Sequence, residues 1–275
     1  MSDKQIAILI AIFSFFLVIF HNATIFDGTK NISQEKSGKA EVTDYFKDIN
    51  LEAKAAYVFD VAKNKPIFEL NADTRLPLAS LTKIMTAVVA LENIPQEQKT
   101  ADLLSIMLVS SSNDAAVALS LGVELPSGLG SSTPFVSLMN KKAEEIGMAQ
   151  TSFFNPTGLD VSFESAGAYG SARDAAKLME YFVKNYPKVA EATRYESLNV
   201  GSKNFKNTDK LAEFLPGIIA GKTGTTDLAG GNLVVAIDIG LGHPVIIAVL
   251  GSTEEGRFED VKKLYEATVK SLTSE

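Results

Sequence analysis

The rhythm of hydrophobic and polar positions changes twice along this chain. Ile6–Phe20, IAILIAIFSFFLVIF, is apolar on every side except at Ser14, and HNATIF carries the apolar texture to Phe26. A bilayer span needs about 20 such residues, and a helix with no polar face is not a surface helix. The pattern predicts a signal anchor or transmembrane segment over residues 1–26. No small-x-small cleavage site follows Phe20, so an uncleaved anchor is expected, the alternative being secretion after cleavage. Residues 27–42, DGTKNISQEKSGKAEV, are polar and read as a linker. Residues 43–275 are expected to form the folded domain.

Within that domain, Ala55–Asn71 reads as two strands joined at KNKP. Leu81–Glu92 reads as a helix, and Thr100–Gly122 as two helices separated by a polar break. Thr133–Ile146 and Ser171–Asn185 are amphipathic, the second opening on a serine cap. The texture then becomes β-branched and bounded by glycine in GIIAGKTG, NLVVAIDIG and PVIIAVLGS, which predicts strands. RFEDVKKLYEATVKSL closes as a helix. Strands at both ends with helices between them predict an α+β fold. One sheet is built from both chain ends and flanked by helices, with an inserted helical subdomain and a cleft between the two.

Composition narrows the chemistry. The net charge of −7 argues against nucleic acid as a partner, because phosphate binding requires a basic face. With no cysteine there is no disulfide, thiol nucleophile or thiolate metal site. Only two histidines exist. His21 falls in the apolar N-terminus and His243 in the turn GLGHP, so neither is placed for a Ser-His-Asp triad. An activated serine here would need another base, and lysine is the main alternative. No metal or cofactor is implied.

Three short stretches offer such a serine. In LPLASLTKIMTAVVALE, Ser80 and Lys83 lie one turn apart at a helix start, where unsatisfied N–H groups favour developing negative charge. Burial would lower the lysine pKa and let a neutral amine take the serine proton. Taken alone, the pair reads better as a cap and a surface charge, because a Ser-x-x-Lys match is cheap. In SSSND, Ser111 and Asn113 are spaced to present a hydroxyl and an amide to one cleft, or Ser112 or Asn113 caps the next helix. In AGKTGTTDLAGG, Lys222 and Thr223 can hold a carboxylate, and Gly224 would let a ligand backbone approach the strand.

Their joint occurrence in this order follows the S-x-x-K, S-D-N and K-T-G set of penicillin-binding proteins and class A β-lactamases, with Ser-Ser-Asn at the middle motif. From Ala56 to Leu264 the chain resembles the serine-type D-alanyl-D-alanine carboxypeptidases, the low-molecular-mass penicillin-binding proteins. PLASLTKIMTA, SSNDAAVALS, FFNPTGLD, GKTGTTDLAG and VLGSTEEGRFEDVKKL carry the likeness. The resemblance implies a β-lactamase/transpeptidase-like fold outside a bacterial cytoplasmic membrane. It implies peptidoglycan stem peptides as substrates and β-lactam antibiotics as covalent inhibitors. It makes Ser80 the acylated nucleophile, Lys83 its base and Ser111 a proton shuttle. Asn113 would bind the substrate backbone, and Lys222, Thr223 and Arg257 its carboxylate end. The N–H groups of Ser80 and Thr225 would form the oxyanion hole.

Two departures stand out. The middle motif has Ser112 where the family usually has glycine. The connection between the Ser80 and Ser111 helices is only NIPQEQK, shorter than the family's usual segment, which predicts a more open cleft and weaker exclusion of water from Lys83. A DD-endopeptidase shares every catalytic group and remains the alternative. A β-lactamase would need a deacylating glutamate, and YESLN lies too late in the chain to supply it. A catalytically silent peptidoglycan binder is the third reading.

Overall fold

The computed structural model describes residues 44–274, apart from Gln96, residues 124–132 and Leu241. The predicted anchor and linker lie outside the described residues. Thr43–Glu275 form one compact unit.

The main sheet has five antiparallel strands in the order β2-β1-β10-β9-β8. These are β1 (Ala55–Asp60), β2 (Lys65–Leu70), β8 (Ile218–Thr226), β9 (Gly230–Asp238) and β10 (Pro244–Ser252). The first and last strands of the chain are neighbours, as expected for a sheet fed from both ends. The β1–β2 turn falls on residues 61–64 rather than on KNKP. Asn64 takes the positive φ of 50° that asparagine tolerates, and Pro66 sits on the edge strand, where a missing N–H is least costly.

The central strands lack a polar face because both faces of the sheet are covered. Tyr57, Ala220, Val234, Ala236, Ile246 and Ala248 point into a core shared with the helical lobe. Their alternates Val58, Val235, Ile237, Val245 and Ile247 pack with Phe258, Val261 and Leu264 of the C-terminal helix. An apolar run, not an alternation, is what such a strand requires.

The helices are α1 (Thr82–Asn93), α2 (Gln98–Val109), α3 (Asn113–Gly122), α4 (Thr133–Glu145), α5 (Ala172–Asn185), α6 (Pro187–Ala190) and α7 (Gly256–Thr273). In α1, Thr82 through Ala90 are all buried, which makes it the centre of the lobe. Helix α5 begins as predicted, with Ser171 Oγ accepting from Asp174 N at 3.1 Å. A small sheet, β3 (Leu76–Pro77), β5 (Ala168–Gly170) and β4 (Ser152–Phe153), and a ribbon, β6 (Ser197–Val200) with β7 (Lys203–Lys206), complete the unit. These strands have two to four residues, too few to show a period.

Candidate active site

Ser80 lies in a 3₁₀ turn, Ala79–Leu81, that runs directly into α1. Ala79 has φ +48°, a left-handed conformation that costs a non-glycine residue about 1 kcal/mol or more. The approach to this turn is held from outside. Leu78 N donates to Ala168 O at 3.0 Å, and the buried Asn232 donates to Pro77 O at 2.9 Å while accepting Gly251 N at 2.8 Å. Sequence reasoning passed over Asn232. Its only signal is a lone amide opening an apolar strand.

Lys83 Nζ sits 2.7 Å from Ser80 Oγ and donates to Thr157 O at 2.8 Å. The side chain is wholly buried, and burial lowers its pKa from the usual 10.5 to about 7. The short connection between α1 and α2 therefore does not leave Lys83 wet, contrary to expectation. The loop after β4 helps enclose it. Asn155 Oδ1 accepts from Thr157 N, Thr157 Oγ1 and Gly158 N at 3.1, 2.9 and 2.7 Å, which fixes the Thr157 carbonyl. Thr86 Oγ1 ties the same loop to α1 through Pro156 O at 2.6 Å. Gly158 has φ +78°, and a Cβ there would lie 1.9 Å from Ala79 O. Only glycine lets this loop lie against the nucleophile turn.

Ser111 stands between α2 and α3 with φ +58°. Ser112 is the cap of α3, accepting Ala115 N at 3.2 Å, so its two neighbours are not used as caps. Ser111 Oγ accepts from Lys222 Nζ at 2.9 Å, and Lys222 also donates to Thr223 O at 2.9 Å. Lys222 is buried. Desolvation, reinforced by the charge of Lys83, pushes its pKa well below the ordinary lysine value. Asn113 Oδ1 is buried with no hydrogen-bond partner, and Asn113, expected to bind the substrate backbone, is not among the residues that line the cleft.

Arg257 belongs to the first turn of α7, yet its guanidinium reaches β8. Nη1 donates to Gly224 O at 3.0 Å and to Thr225 Oγ1, while Nε is buried without a partner. Thr223 Oγ1 is 2.6 Å from Thr208 Oγ1. Gly224 needs correction. A Cβ there would meet Leu78 O at 2.9 Å and Ser80 N at 3.0 Å, so the backbone it admits is that of the nucleophile turn, not only a ligand's. This close approach puts β8, and with it Thr225, beside the Ser80 amide, the two donors expected for an oxyanion.

Ser80, Ser111, Thr223, Gly224, Thr225 and Arg257 line one cleft of about 390 Å³, with Lys83 and Lys222 buried behind their serines. Asn207, Thr208, Lys210, Glu254 and Glu255 complete the wall. The sequence reading gave none of these five a role in the site, although Glu254 and Glu255 lie in VLGSTEEGRFEDVKKL. Behind that wall Asp209 is buried, and burial raises its carboxyl pKa to about 6. Glu196 of YESLN does not line the cleft. Among the described residues no cluster of His, Cys, Asp or Glu is set to hold a metal. A serine with a buried amine base, a second serine–lysine pair and an arginine at one end suit acyl transfer from a peptide with a free carboxylate.

Comparison with known proteins agrees with this geometry. Residues 40–98 and 93–254 match the peptidase S11 family, described as D-alanyl-D-alanine carboxypeptidase. The D-alanyl-D-alanine carboxypeptidase DacF of Bacillus subtilis is 31% identical over 247 residues, 78% of this chain and 61% of that protein. A D-alanyl-D-alanine endopeptidase of Escherichia coli is 31% identical over 229 residues, 71% of this chain and 70% of that protein. The crystal structure of penicillin-binding protein D2 from Listeria monocytogenes in its cefotaxime-bound form superposes with a TM-score of 0.71 at 29% identity, covering 80% of this chain and 98% of that one. The chain spans about three fifths of the length of the carboxypeptidase relatives it matches.

Proposed function

The chain belongs to the D-alanyl-D-alanine carboxypeptidase family, and from that premise we propose that it hydrolyses the terminal D-Ala-D-Ala bond of peptidoglycan stem peptides. The observation that carries the reading is the buried Lys83 amine 2.7 Å from Ser80 Oγ. A neutral amine has two hydrogens and one lone pair. The Thr157 carbonyl can only accept, so it takes a hydrogen and leaves the lone pair free to face Ser80. Ser80 Oγ then attacks the penultimate carbonyl as its proton passes to Lys83, and the oxyanion forms beside the Ser80 and Thr225 amides. The C–N bond breaks as the leaving nitrogen takes this proton, passed on from Lys83 through Ser111, which Lys222 holds at 2.9 Å, so that Lys83 is neutral again. D-Alanine departs, its carboxylate released from Arg257 and Thr225. Water hydrolyses the ester, with Lys83 again taking the proton, and Ser80 is regenerated. β-Lactams would acylate Ser80 by the same attack.

The test is D-alanine release from a D-Ala-D-Ala-terminated pentapeptide by the full chain in detergent, with Ser80→Ala as control. Release that survives in the mutant sinks the mechanism. The endopeptidase reading stays as the alternative, because the endopeptidase relative is matched over a larger share of its length than the carboxypeptidase DacF. We further propose that residues 1–26, whose apolar texture runs from Ile6 to Phe26, anchor the catalytic domain to the outer face of a bacterial cytoplasmic membrane.

A further inference from the structure

Arg257 is only 5% exposed, and much of its hydrogen-bonding capacity is already used inside the protein. Its Nη1 carries two hydrogens. One goes to Gly224 O at 3.0 Å and the other to Thr225 Oγ1. These two acceptors flank a single peptide group, the one that joins Gly224 to Thr225. Glu255, two residues before the arginine, pairs with Lys210 instead. The peptide is planar and trans, so its C=O and N–H point in opposite directions. Gly224 is buried and Thr225 is exposed, and β8 is an edge strand with β9 on one side only. A carbonyl held on the buried side by a guanidinium from α7 turns the Thr225 N–H outward, to the cleft that Thr225 lines. Gly224 has no side chain of its own to hold this peptide, and its backbone is the freest of any residue. It also lies against the nucleophile turn, where a Cβ would come within 3.0 Å of Ser80 N.

We infer that Arg257 is a positioning residue of the oxyanion hole, which aims and polarises the Thr225 N–H by clamping the Gly224–Thr225 peptide. This rests on the DD-peptidase reading given above, and it is a second role beside any contact of Arg257 with the substrate carboxylate. A cation on the Gly224 carbonyl draws electron density through the amide and makes the N–H at its far end a stronger donor. The same clamp removes the rotation that would let that N–H swing away from the Ser80 amide. The oxyanion then meets two donors already in place, which is what lowers the barrier to attack.

The test compares acylation of the full chain by a penam β-lactam, which carries a carboxylate, with acylation by its methyl ester, which does not. An arginine that serves only the carboxylate matters for the free acid alone, whereas one that serves the oxyanion matters for both. Losing an oxyanion donor outright costs about 10²–10³ in rate, so loosening one in Arg257→Ala should slow acylation by the ester about ten- to a hundredfold. Arg257→Lys keeps the cation but not the fork, and should recover part of that loss. In the acyl-enzyme the ester carbonyl stretch, read by infrared difference spectroscopy, should move to higher wavenumber in both variants, as its hydrogen bonds weaken. A merely structural defect would lower the melting temperature and leave that band in place. If Arg257→Ala does not fold, the ester rate and the band position in Arg257→Lys decide. A loss confined to the free acid, with the band unmoved, overturns the inference alone. Absence of β-lactam acylation and of D-alanine release in the wild type overturns the functional reading beneath it.

Discussion

Two serine–lysine pairs face the same cleft, and they are built in opposite ways. Ser80 and Lys83 are neighbours on one helical start, 2.7 Å apart. Ser111 and Lys222 come from the lobe and the sheet, 2.9 Å apart across 111 positions of sequence. Both lysines are buried and both are pushed toward the neutral form. The local pair needs only a helix and a lid over it. The remote pair needs the whole domain to be folded, so it reports on whether lobe and sheet are closed together. The difference assigns the labour. The pair set by covalent spacing is suited to the attack, and the pair set by tertiary packing is suited to delivering a proton across the cleft.

The deepest way to break this comparison is Ser80→Ala, which should remove acylation by a β-lactam, read by intact mass, and reduce D-alanine release by at least about 10⁴-fold. Lys83→Ala should keep the fold and cost about 10²–10⁴ in the acylation rate, the usual worth of a general base. Lys222→Ala should cost less, about 10²-fold, and Ser111→Ala should resemble it, because the two act as one unit. A double variant no slower than either single would establish that unity, whereas additive losses would break it.

The pH profile sharpens the comparison further. A base with a pKa of about 7 is lost to protonation below that value, so acylation should fall about tenfold per unit as pH drops below 7. An acid limb near 4 in single-turnover acylation would remove Lys83 as the base. The same shift acts on stability. The unfolded lysine keeps its proton up to about 10.5, so stability rises with pH between about 7 and 10.5. Below 7 the native state carries a buried charge at a cost of roughly 5 kcal/mol.

The smallest effect is at Asp209. Its carboxyl has a folded pKa of about 6, above that of an unfolded aspartate, so its contribution to stability is fully present below about 4 and lost as pH rises through 6. Asp209→Asn can still accept Leu211 N. It should raise the melting temperature by a few degrees at pH 8 and by less at pH 5, read by thermal denaturation at both values.

How much of this was legible beforehand follows the same division. Ser80–Lys83 could be read from spacing, because three residues on a helix fix a distance. No spacing connects Ser111 to Lys222, or Arg257 to Gly224, and only resemblance assigned them. The carbonyl of Thr157 could not be read at all, since any residue has one. What selects it is Asn155 and Gly158 beneath it. The three long strands after residue 217 were legible as apolar runs because helices cover both faces. The strands β3 to β7 were not, being shorter than any period. The expected openness around Lys83 was misjudged because the enclosing loop comes from residues 155–158, far along the chain from the shortened connection.

The two ends of the described domain meet. Tyr45 Oη and Ser274 Oγ lie 2.9 Å apart, and β1 and β10 are partners at the centre of the sheet. Linear order is thus incidental to this chemistry. A circular permutant that joins residues 44 and 274 through a short linker and opens between β9 and β10, where Gly240 and Gly242 are exposed, would keep the K-T-G strand beside the nucleophile turn in space. Strand β10 and helix α7, with Arg257, would precede the three motifs along the gene, and the cleft would not change.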